Sequence, residues 1–334
     1  MCKLKYVALH ITEKCSHNCS FCYYKKKQNF TPLKSKPNER FSLQTLKKII
    51  DELYINNVKE IFLLGGDPAE YVNFLDLAEY AWKKELLLTS VSNTHEYNCD
   101  PSILSKYLSI CETTIHGESE EFHDNVCESI GAYEKVLNNL KMFRQLGCST
   151  GITINIMPSN VKNIYSIVSN IINKHGKIID YINVQRIVPH GKATKEDNHY
   201  LQKDNLVEAL TQIDKIFVDY NIEIECEDAF PLCLVPKKFW KYIHRCEWGY
   251  EKLSINGDGG VSRCGADPRY NLGNVLETSL KEIWEESPYL NDFRKKDFLP
   301  QKCKECDNIT LCGGGCSLGA WSGKELDKDI LLSN

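Results

Sequence analysis

The stretch Cys15-Ser16-His17-Asn18-Cys19-Ser20-Phe21-Cys22 carries three thiols within eight residues and directly follows the apolar run 6–11. A cuboidal 4Fe–4S cluster normally takes four cysteine thiolates, so three closely spaced cysteines leave one iron without a protein ligand. An open coordination position is typical of a catalytic metal site, whereas a fully ligated site is structural. A zinc site with a distant fourth ligand, such as His17, is the alternative that this stretch leaves open.

The composition of the 334-residue chain limits the classes of function to consider. Acidic and basic residues are interspersed and the net charge is −4, which gives no argument for nucleic acid or an anionic membrane surface as partner. The apolar runs are too short to span a bilayer. Sixteen cysteines occur without a signal-peptide pattern, so metal binding explains them better than disulfides do. We therefore expect an oxygen-sensitive cytoplasmic protein.

Around the cysteine stretch, apolar runs of strand length alternate with amphipathic helical segments. Ser42 is expected to cap the first helix, with Phe41 and Leu46 placed as a hydrophobic staple. The predicted strands are 4–11, 60–64, 86–91, 111–115, 151–157 and 181–188. The predicted helices that follow the second to sixth strands are 71–84, 101–108, 133–146, 164–174 and 205–220, and a further short strand is predicted at 222–226.

Six strands that are each followed by a helix predict parallel βαβ units with right-handed crossovers. Six units are too few for the eight-fold barrel, so the pattern predicts an α/β fold with a partial, open (β/α)6 TIM-like barrel over residues 1–235. Ligands of such folds bind at the carboxyl ends of the strands, where the cysteine stretch is expected to lie.

The pattern changes after about residue 235, where glycines accumulate and predicted helices become sparse. Residues 236–334 are therefore predicted to form a second, smaller domain. Cys246 is followed by Gly259 and Cys264, and later by Cys303-x2-Cys306-x5-Cys312-x3-Cys316. A zinc ribbon is the alternative for this pattern.

Cys15-x3-Cys19-x2-Cys22, with an aromatic residue before the last cysteine, resembles the signature of the radical SAM superfamily. The resemblance implies that the three thiolates hold a 4Fe–4S cluster, whose fourth iron is chelated by the amino and carboxylate groups of S-adenosylmethionine. The cluster's electron would then split the sulfonium to give a 5′-deoxyadenosyl radical. A partial (β/α)6 barrel is also the fold of that family.

Gly65-Gly66-Asp67-Pro68, at the end of the second predicted strand, resembles the family's Gly-Gly-Glu-Pro motif, which binds the amino group of S-adenosylmethionine. Aspartate in place of glutamate shortens the reach by one methylene. Ser92 and Asn93 end the third strand, where the family often has polar residues near the ribose. An ordinary turn at the strand end is the alternative for this pair.

Thr113-Thr114-Ile115-His116-Gly117 looks like the family's Ser-x-Asp-Gly motif, so Thr114 stands where the serine would contact the cofactor. The family usually has an arginine, which helps to hold the methionine carboxylate, at the place that Cys127 occupies here. Arg186, at the end of the sixth strand, is the replacement that we predict. Cys127 itself is a predicted hydrogen-atom donor, as in some radical peptide epimerases, or else a small buried hydrophobe.

The C-terminal cysteines resemble the SPASM domain, which binds auxiliary 4Fe–4S clusters. The resemblance implies that residues 236–334 form a small, cysteine-rich C-terminal iron–sulfur domain. The family usually has one more cysteine after the quartet, and this chain has none beyond Cys316. By the family pattern, one cluster takes Cys246, Cys264 and Cys316, and the other takes Cys303, Cys306 and Cys312. Cys226 or Cys233 is predicted to complete the first cluster and Asp307 the second; an open iron and a single auxiliary cluster are the alternatives.

The resemblance implies an enzyme that cleaves S-adenosylmethionine reductively and abstracts hydrogen from a substrate. We expect a ribosomally made peptide that is crosslinked, joined through a thioether or epimerised. A small molecule, a porphyrin or a protein such as a sulfatase is the alternative, and a non-catalytic zinc or iron–sulfur protein is the alternative of another class. An electron donor such as flavodoxin or ferredoxin is expected. Because the first cluster cysteine is residue 15, leader-peptide binding is expected from a separate protein or from the barrel itself.

Overall fold

Parallel strands alternate with helices through the first two thirds of the chain. A computed structural model describes residues 2–24, 41–188, 191–193, 199–266, 271–318 and 329–332. The alternating elements are β1 (Tyr6–His10), α1 (Leu43–Ile55), β2 (Glu60–Leu64), α2 (Phe74–Trp82), β3 (Leu87–Val91), α3 (Pro101–Leu104), β4 (Ile110–Thr114), α4 (Glu120–Cys127), α5 (Ala132–Gln145), β5 (Ser149–Ile156), α6 (Ile164–His175), β6 (Tyr181–Arg186), α7 (Lys203–Tyr220) and β7 (Glu223–Cys226).

Shorter elements follow in the C-terminal third. They are β8 (Lys252–Asn256), β9 (Gly260–Ser262), β10 (Gly273–Asn274), α8 (Leu280–Glu286), α9 (Pro288–Lys295), α10 (Gln301–Lys304) and α11 (Ile309–Cys312). Short 3₁₀ turns lie at Pro68–Glu70, Leu232–Leu234, Lys237–Tyr242 and Ile330–Leu332. None of the described helices is both long enough and apolar enough to cross a bilayer.

All ten strands of the described residues belong to one sheet, in the order β10-β9-β8-β1-β2-β3-β4-β5-β6-β7. The strands from β8 to β7 run parallel to their neighbours, and β9 and β10 form an antiparallel edge. Among the described residues no pairing joins β7 to β10, so the sheet is a partial barrel that does not close. The predicted α/β fold with an open, mainly parallel barrel is therefore confirmed.

Helix α1 shows how the local sequence sets an element. The Ser42 hydroxyl accepts a hydrogen bond from the Thr45 backbone N–H at 3.1 Å, which satisfies one of the unpaired amides of the first turn. The residues that α1 buries recur every three or four positions and face the sheet; they are Leu46, Ile49, Ile50 and Leu53. The predicted helix start at Ser42 is thus confirmed.

Helix α4 was not predicted from the sequence. It has eight residues, five of them polar or charged, and it buries only His123 and Cys127. A helix with such a narrow apolar face gives no periodic signal. Ser119 nevertheless caps it by accepting from the Phe122 N–H at 3.3 Å, and α4 sets His123 and Cys127 one turn apart on its buried side.

The C-terminal third continues the barrel sheet. Strand β8 pairs in parallel with β1, so that Tyr6 lies opposite Lys252 and His10 opposite Asn256. The Trp284 indole N–H donates to the Cys2 carbonyl at 2.7 Å, which fastens α8 to the start of the chain. The sheet therefore crosses the domain boundary that the sequence predicts near residue 235, and that boundary stays a prediction.

Candidate active site

A cavity of about 310 Å³ lies at the carboxyl ends of the parallel strands. Its wall includes the ends of β2, β3, β4 and β6 and the residues that follow β7. Two separate groups of thiols line this one cavity, namely Cys15, Cys19 and Cys22 after β1, and Cys246, Cys264 and Cys316 from the C-terminal third. The fold therefore brings two predicted metal sites to the same opening.

Backbone hydrogen bonds hold the cysteine loop after β1 in place. The Cys22 N–H donates to the Cys19 carbonyl at 3.1 Å, which closes a turn between these two ligands. The Asn18 N–H donates to the carbonyl of Cys127 at 2.9 Å, so the C-terminus of α4 supports the loop. The side chain of Asn93 adds a hydrogen bond from Nδ2 to Cys15 Sγ at 3.5 Å.

Gly65 and Gly66 line the cavity, as the sequence predicted for cofactor-binding residues. Their lack of side chains has a specific cause in this structure. A Cβ at Gly66 would collide with the Lys14 carbonyl, and a Cβ at Gly65 would collide with the carbonyl of Thr12. The glycine pair therefore lets the cysteine loop cross the end of β2 in direct backbone contact, with Gly66 N–H donating to Thr12 O at 2.8 Å.

Asp67 is buried and organises the strand ends around it. Its Oδ1 accepts from the Ser92 hydroxyl at 2.7 Å and from the Ala69 N–H at 2.8 Å, and Oδ2 accepts from the Asn93 N–H at 2.6 Å. Burial raises the pKa of the Asp67 carboxyl to about 6, although these donors oppose the shift. The predicted set Asp67, Ser92 and Asn93 is thus brought together, while Pro68 begins the short turn after it.

The thiol of Cys127 lies against the cysteine loop. The side-chain ligand atoms of His17, Cys19 and Cys127 all lie within 4.8 Å of one another. Cys127 Sγ is also 3.4 Å from Nε2 of His123. The hydrogen bond with Cys19 and burial both raise the pKa of Cys127, while burial lowers the pKa of His123 to about 2. A neutral thiol and a neutral imidazole therefore border the predicted cluster.

Thr114 and Arg186 both line the cavity. Thr114 is the last residue of β4. The Arg186 guanidinium donates hydrogen bonds to other parts of the chain. Nη1 donates to Asp329 Oδ1 at 2.9 Å, and Nη2 donates to Asp329 Oδ2 and to the Ala229 carbonyl. Its Nε is buried and has no hydrogen-bond partner among the described residues. The predicted contact of Arg186 with a cofactor carboxylate stays a prediction.

The C-terminal thiols that line the cavity, Cys246, Cys264 and Cys316, have charged neighbours. Cys264 and Cys316 pack in a small cluster with Leu318. Burial raises the pKa of Cys316; the Arg186 charge opposes this shift, and the charges of Asp228 and Cys246 add to it. The structure therefore gathers Cys246, Cys264 and Cys316 as the resemblance implied.

A second group of C-terminal thiols lies around helices α10 and α11. Burial raises the pKa of Cys303, and the charges of Cys233 and Cys312 raise it further. The Leu232 N–H donates to Cys312 Sγ at 3.4 Å. Cys233, which the sequence analysis joined to the cavity group, instead stands beside this second group.

Two other residues named from the sequence as ligands lie elsewhere. Cys226 is fully buried in β7 within the apolar core, and its predicted ligand role has no contact in the structure that supports it. Asp307 is exposed, and its predicted ligand role has no contact in the structure that supports it.

A charged pair inside the barrel was missed by the sequence analysis. Lys252 Nζ lies 2.8 Å from Glu227 Oε1 and 4.0 Å from the centroid of the Phe62 ring. Glu112 accepts from the Tyr181 hydroxyl at 2.7 Å nearby. A charged residue inside an apolar strand, such as Glu112 in β4, was the sequence signal that could have indicated charged groups inside the barrel. Lys252 gave no such signal, because β8 was not predicted.

The donor sets fit iron–sulfur clusters. Each consists of thiols, which select soft metals and iron–sulfur clusters over hard cations. The N-terminal set offers three thiols, an amide donor to sulfur and an adjoining cavity, as an open cluster with a bound cofactor requires.

Comparison with known proteins identifies two domains. The Radical SAM superfamily matches residues 9–168, and SPASM, an iron–sulfur cluster-binding domain, matches residues 246–307. An AdoMet-dependent heme synthase of Oleidesulfovibrio alaskensis is 24% identical over 99% of this chain and 87% of its own. A PqqA peptide cyclase of Ruegeria pomeroyi is 23% identical over 92% of this chain and 80% of its own.

The fold is also similar to solved structures. Streptococcus suis SuiB bound to S-adenosylmethionine superposes with a TM-score of 0.76 at 17% identity, over 98% of this chain and 77% of SuiB. SuiB bound to precursor peptide SuiA gives a TM-score of 0.75 at 18% identity, over 98% and 76% of the two chains. The cofactors that the two domains imply are iron–sulfur clusters and S-adenosylmethionine. The chain is therefore an enzyme that contains a radical SAM domain and a SPASM domain.

Proposed function

We propose that the chain modifies a ribosomally made peptide after abstracting a hydrogen atom from it. The observation that carries the proposal is the single cavity lined by both Cys15, Cys19 and Cys22 and the C-terminal thiols. A substrate in this cavity would meet a radical-generating site and an auxiliary cluster together. When bound, the cluster and S-adenosylmethionine supply one-electron cleavage of the sulfonium and a radical that takes hydrogen from carbon.

The chain's own residues then bind and orient. The three N-terminal thiols hold the cluster, and Asn93 stabilises it through its hydrogen bond to Cys15 Sγ. Asp67 keeps Ser92 and Asn93 turned toward the cavity for the nucleotide. Gly65, Gly66 and Pro68 fix the cysteine loop against β2, and Thr114 supplies a further polar contact.

Relatives support a peptide as substrate. One is named PqqA peptide cyclase, and SuiB has been solved with precursor peptide SuiA. The Lys252–Glu227 pair presents both charges to the cavity, which suits the polar backbone of an extended peptide. Crosslinking, thioether formation and epimerisation are the reactions that we propose, with Cys127 as hydrogen-atom donor in the last.

A porphyrin is the second candidate substrate, because the heme synthase aligns with 99% of the chain. The relatives named for peptide substrates, PqqA peptide cyclase and SuiB with precursor peptide SuiA, favour a peptide over it.

We further propose an external electron donor such as flavodoxin or ferredoxin and a location in the cytoplasm. Sixteen cysteines, most of them at cluster spacing, support a reducing compartment.

Deuterium transfer tests the proposed substrate class. Anaerobic protein with reconstituted clusters, a reductant and S-adenosylmethionine would be incubated separately with deuterated precursor peptides and deuterated porphyrin precursors. Deuterium in 5′-deoxyadenosine from a peptide is the expected result. Transfer from the porphyrin precursor alone would overturn the peptide assignment while leaving the radical chemistry intact.

A further inference from the structure

The second group of C-terminal thiols has three cysteines by sequence pattern, Cys303, Cys306 and Cys312. A closed 4Fe–4S cluster takes four thiolates. A fourth thiol that the fold places beside Cys303, Cys306 and Cys312 would close such a cluster.

The 3₁₀ turn Leu232–Leu234 is fixed against this group by two separate contacts. The Leu232 N–H donates to Cys312 Sγ at 3.4 Å, and the Leu232 side chain is buried in the apolar core against which Cys312 packs. Just before the turn, Pro231 approaches the glycine run after Cys312 so closely that a Cβ on Gly315 would lie 2.9 Å from Pro231 Cγ. The turn thus has a fixed position beside α11.

Cys233 follows the anchored Leu232, and its side chain does not enter the core. All sixteen cysteines lie in the described part of the chain, and Cys233 is the exposed one among them. Cys233 is close enough to the other thiols for electrostatic interaction with each of them. Negative charge on Cys306 or Cys312 acts on Cys233, and negative charge on Cys233 acts on Cys303. An exposed thiol is a liability for oxidation unless it has a partner.

We infer that Cys233 is the fourth ligand of an auxiliary iron–sulfur cluster that it forms with Cys303, Cys306 and Cys312. The inference concerns the SPASM region and does not depend on which substrate the enzyme modifies. Four thiolates close this cluster, so it relays or stores an electron and has no open iron for substrate. Lys302, whose charge also reaches Cys233, partly offsets the negative charge of the site.

The spacing of the thiols favours a cluster over zinc. Tetrahedral zinc, with Zn–S bonds of about 2.3 Å, would hold four thiolates about 3.8 Å apart. In the described part of the chain, the three-ligand group with all atoms within 4.8 Å of one another consists of His17, Cys19 and Cys127, not of these thiols. The thiols around Cys233 are therefore not gathered as tightly as a tetrahedral zinc site requires.

Iron and sulfide content of the full chain tests the assignment. Protein with anaerobically reconstituted clusters would be compared with Cys233→Ser, with Cys303→Ser as a second ligand variant, and with the control Cys99→Ser, whose residue has no cluster spacing. Both ligand variants are expected to lose up to about four irons per chain, or to show a new three-iron EPR signal when oxidised. Cys99→Ser is expected to keep the wild-type content. Wild-type iron content in Cys233→Ser, together with loss in Cys303→Ser, would overturn the assignment, as would stoichiometric zinc at the site.

Thiol alkylation gives a readout that does not require a variant. Cys233 should react with iodoacetamide in the metal-free protein and be protected after reconstitution, as mass spectrometry of its peptide would show. Equal labelling in both states would contradict the inference. Because neither measurement uses turnover, failure of the proposed peptide modification would leave this result unaffected.

Discussion

At the residue scale, Asp67 shows both the reach and the limit of the sequence. The motif predicted a carboxylate at the end of β2, and the structure has it lining the cavity. The sequence could not show that its two oxygens accept hydrogen bonds from Ser92, Ala69 and Asn93. These contacts depend on β3 lying beside β2, which is a tertiary fact. In this structure the Asp67 carboxyl group therefore holds the end of the neighbouring strand.

Replacing Cys15, Cys19 or Cys22 by alanine is expected to abolish 5′-deoxyadenosine formation, because each change removes a thiolate that the cluster needs. The measurement is chromatography of 5′-deoxyadenosine after anaerobic incubation with S-adenosylmethionine and reductant. Cys99→Ala is the control, since Cys99 has no cluster spacing and does not line the cavity. Wild-type product from any of the three variants would contradict the assignment of that cysteine.

Asp67→Asn should become more stable relative to the wild type as the pH rises. Burial raises the folded pKa of Asp67 to about 6 from 3.8, so the folded state binds the proton more tightly and this group lowers stability as pH increases between those values. Between pH 5 and pH 7.5 the difference in unfolding free energy should shift by roughly 1 kcal/mol in favour of the asparagine variant. Urea unfolding at both pH values measures it.

Asp100→Asn serves as the control for that titration. Hydrogen bonds from Ser102 lower the pKa of Asp100, which is exposed at the start of α3, so it is already ionised at pH 5. The difference in unfolding free energy between Asp100→Asn and the wild type should therefore not shift in favour of the variant between pH 5 and pH 7.5. A pH-independent difference for Asp67→Asn would mean that the carboxyl is not held in a desolvated environment.

At the element scale, strands and helices with a regular apolar pattern were predictable, and those without one were not. The strand Glu60–Leu64 and the cap of α1 follow directly from local sequence. Helix α4 was missed because most of its residues are polar, yet it brings Cys127 to the cysteine loop. Strand β8 was missed because its partner, β1, is more than two hundred residues away in sequence.

Gly66→Ala should disrupt the cluster site because the loop and the end of β2 touch through their backbones. The new Cβ would collide with the Lys14 carbonyl, so the cysteine loop would have to move. We expect the rate of cofactor cleavage to fall at least roughly ten-fold. A ten-fold loss requires an increase of only about 1.4 kcal/mol in the activation free energy. Gly131→Ala is the control, because a Cβ there meets no atom within 4 Å.

Gly66→Ala and Gly131→Ala would be compared by 5′-deoxyadenosine formation and by the iron content of each variant. Gly131 has a φ of +75°, so its alanine variant carries backbone strain without a collision. Activity of Gly66→Ala equal to that of Gly131→Ala would show that the loop does not need the close approach.

At the scale of the whole molecule, a buried ion pair joins the barrel to the C-terminal residues. The guanidinium of Arg186, on β6, is bonded at two nitrogens by Asp329, which also accepts from the Cys316 N–H at 2.7 Å. The sequence indicated an arginine at the strand end but gave no sign of its partner 143 residues later. The pair therefore couples the barrel rim to Cys316, a predicted ligand of the cluster in the cavity.

Asp329→Ala should destabilise the protein by about 3–5 kcal/mol, because it leaves the Arg186 charge buried without its partner. Asp292→Ala is the matched surface control, since the Asp292–Lys295 pair is exposed and its loss should change the unfolding free energy little. Urea unfolding of both variants gives the comparison. Equal midpoints would mean that the Arg186–Asp329 pair does not hold the C-terminal residues to the barrel.

The central claim is that Cys15, Cys19 and Cys22 hold a cluster with an open iron that binds S-adenosylmethionine. EPR of the reduced, anaerobically reconstituted Cys303→Ser variant, recorded with and without S-adenosylmethionine, tests it most directly, because that variant reduces the auxiliary signals. The account predicts a 4Fe–4S signal whose shape changes when the nucleotide is added. A cluster signal that stays the same at saturating nucleotide, or no cluster signal at all, would contradict it.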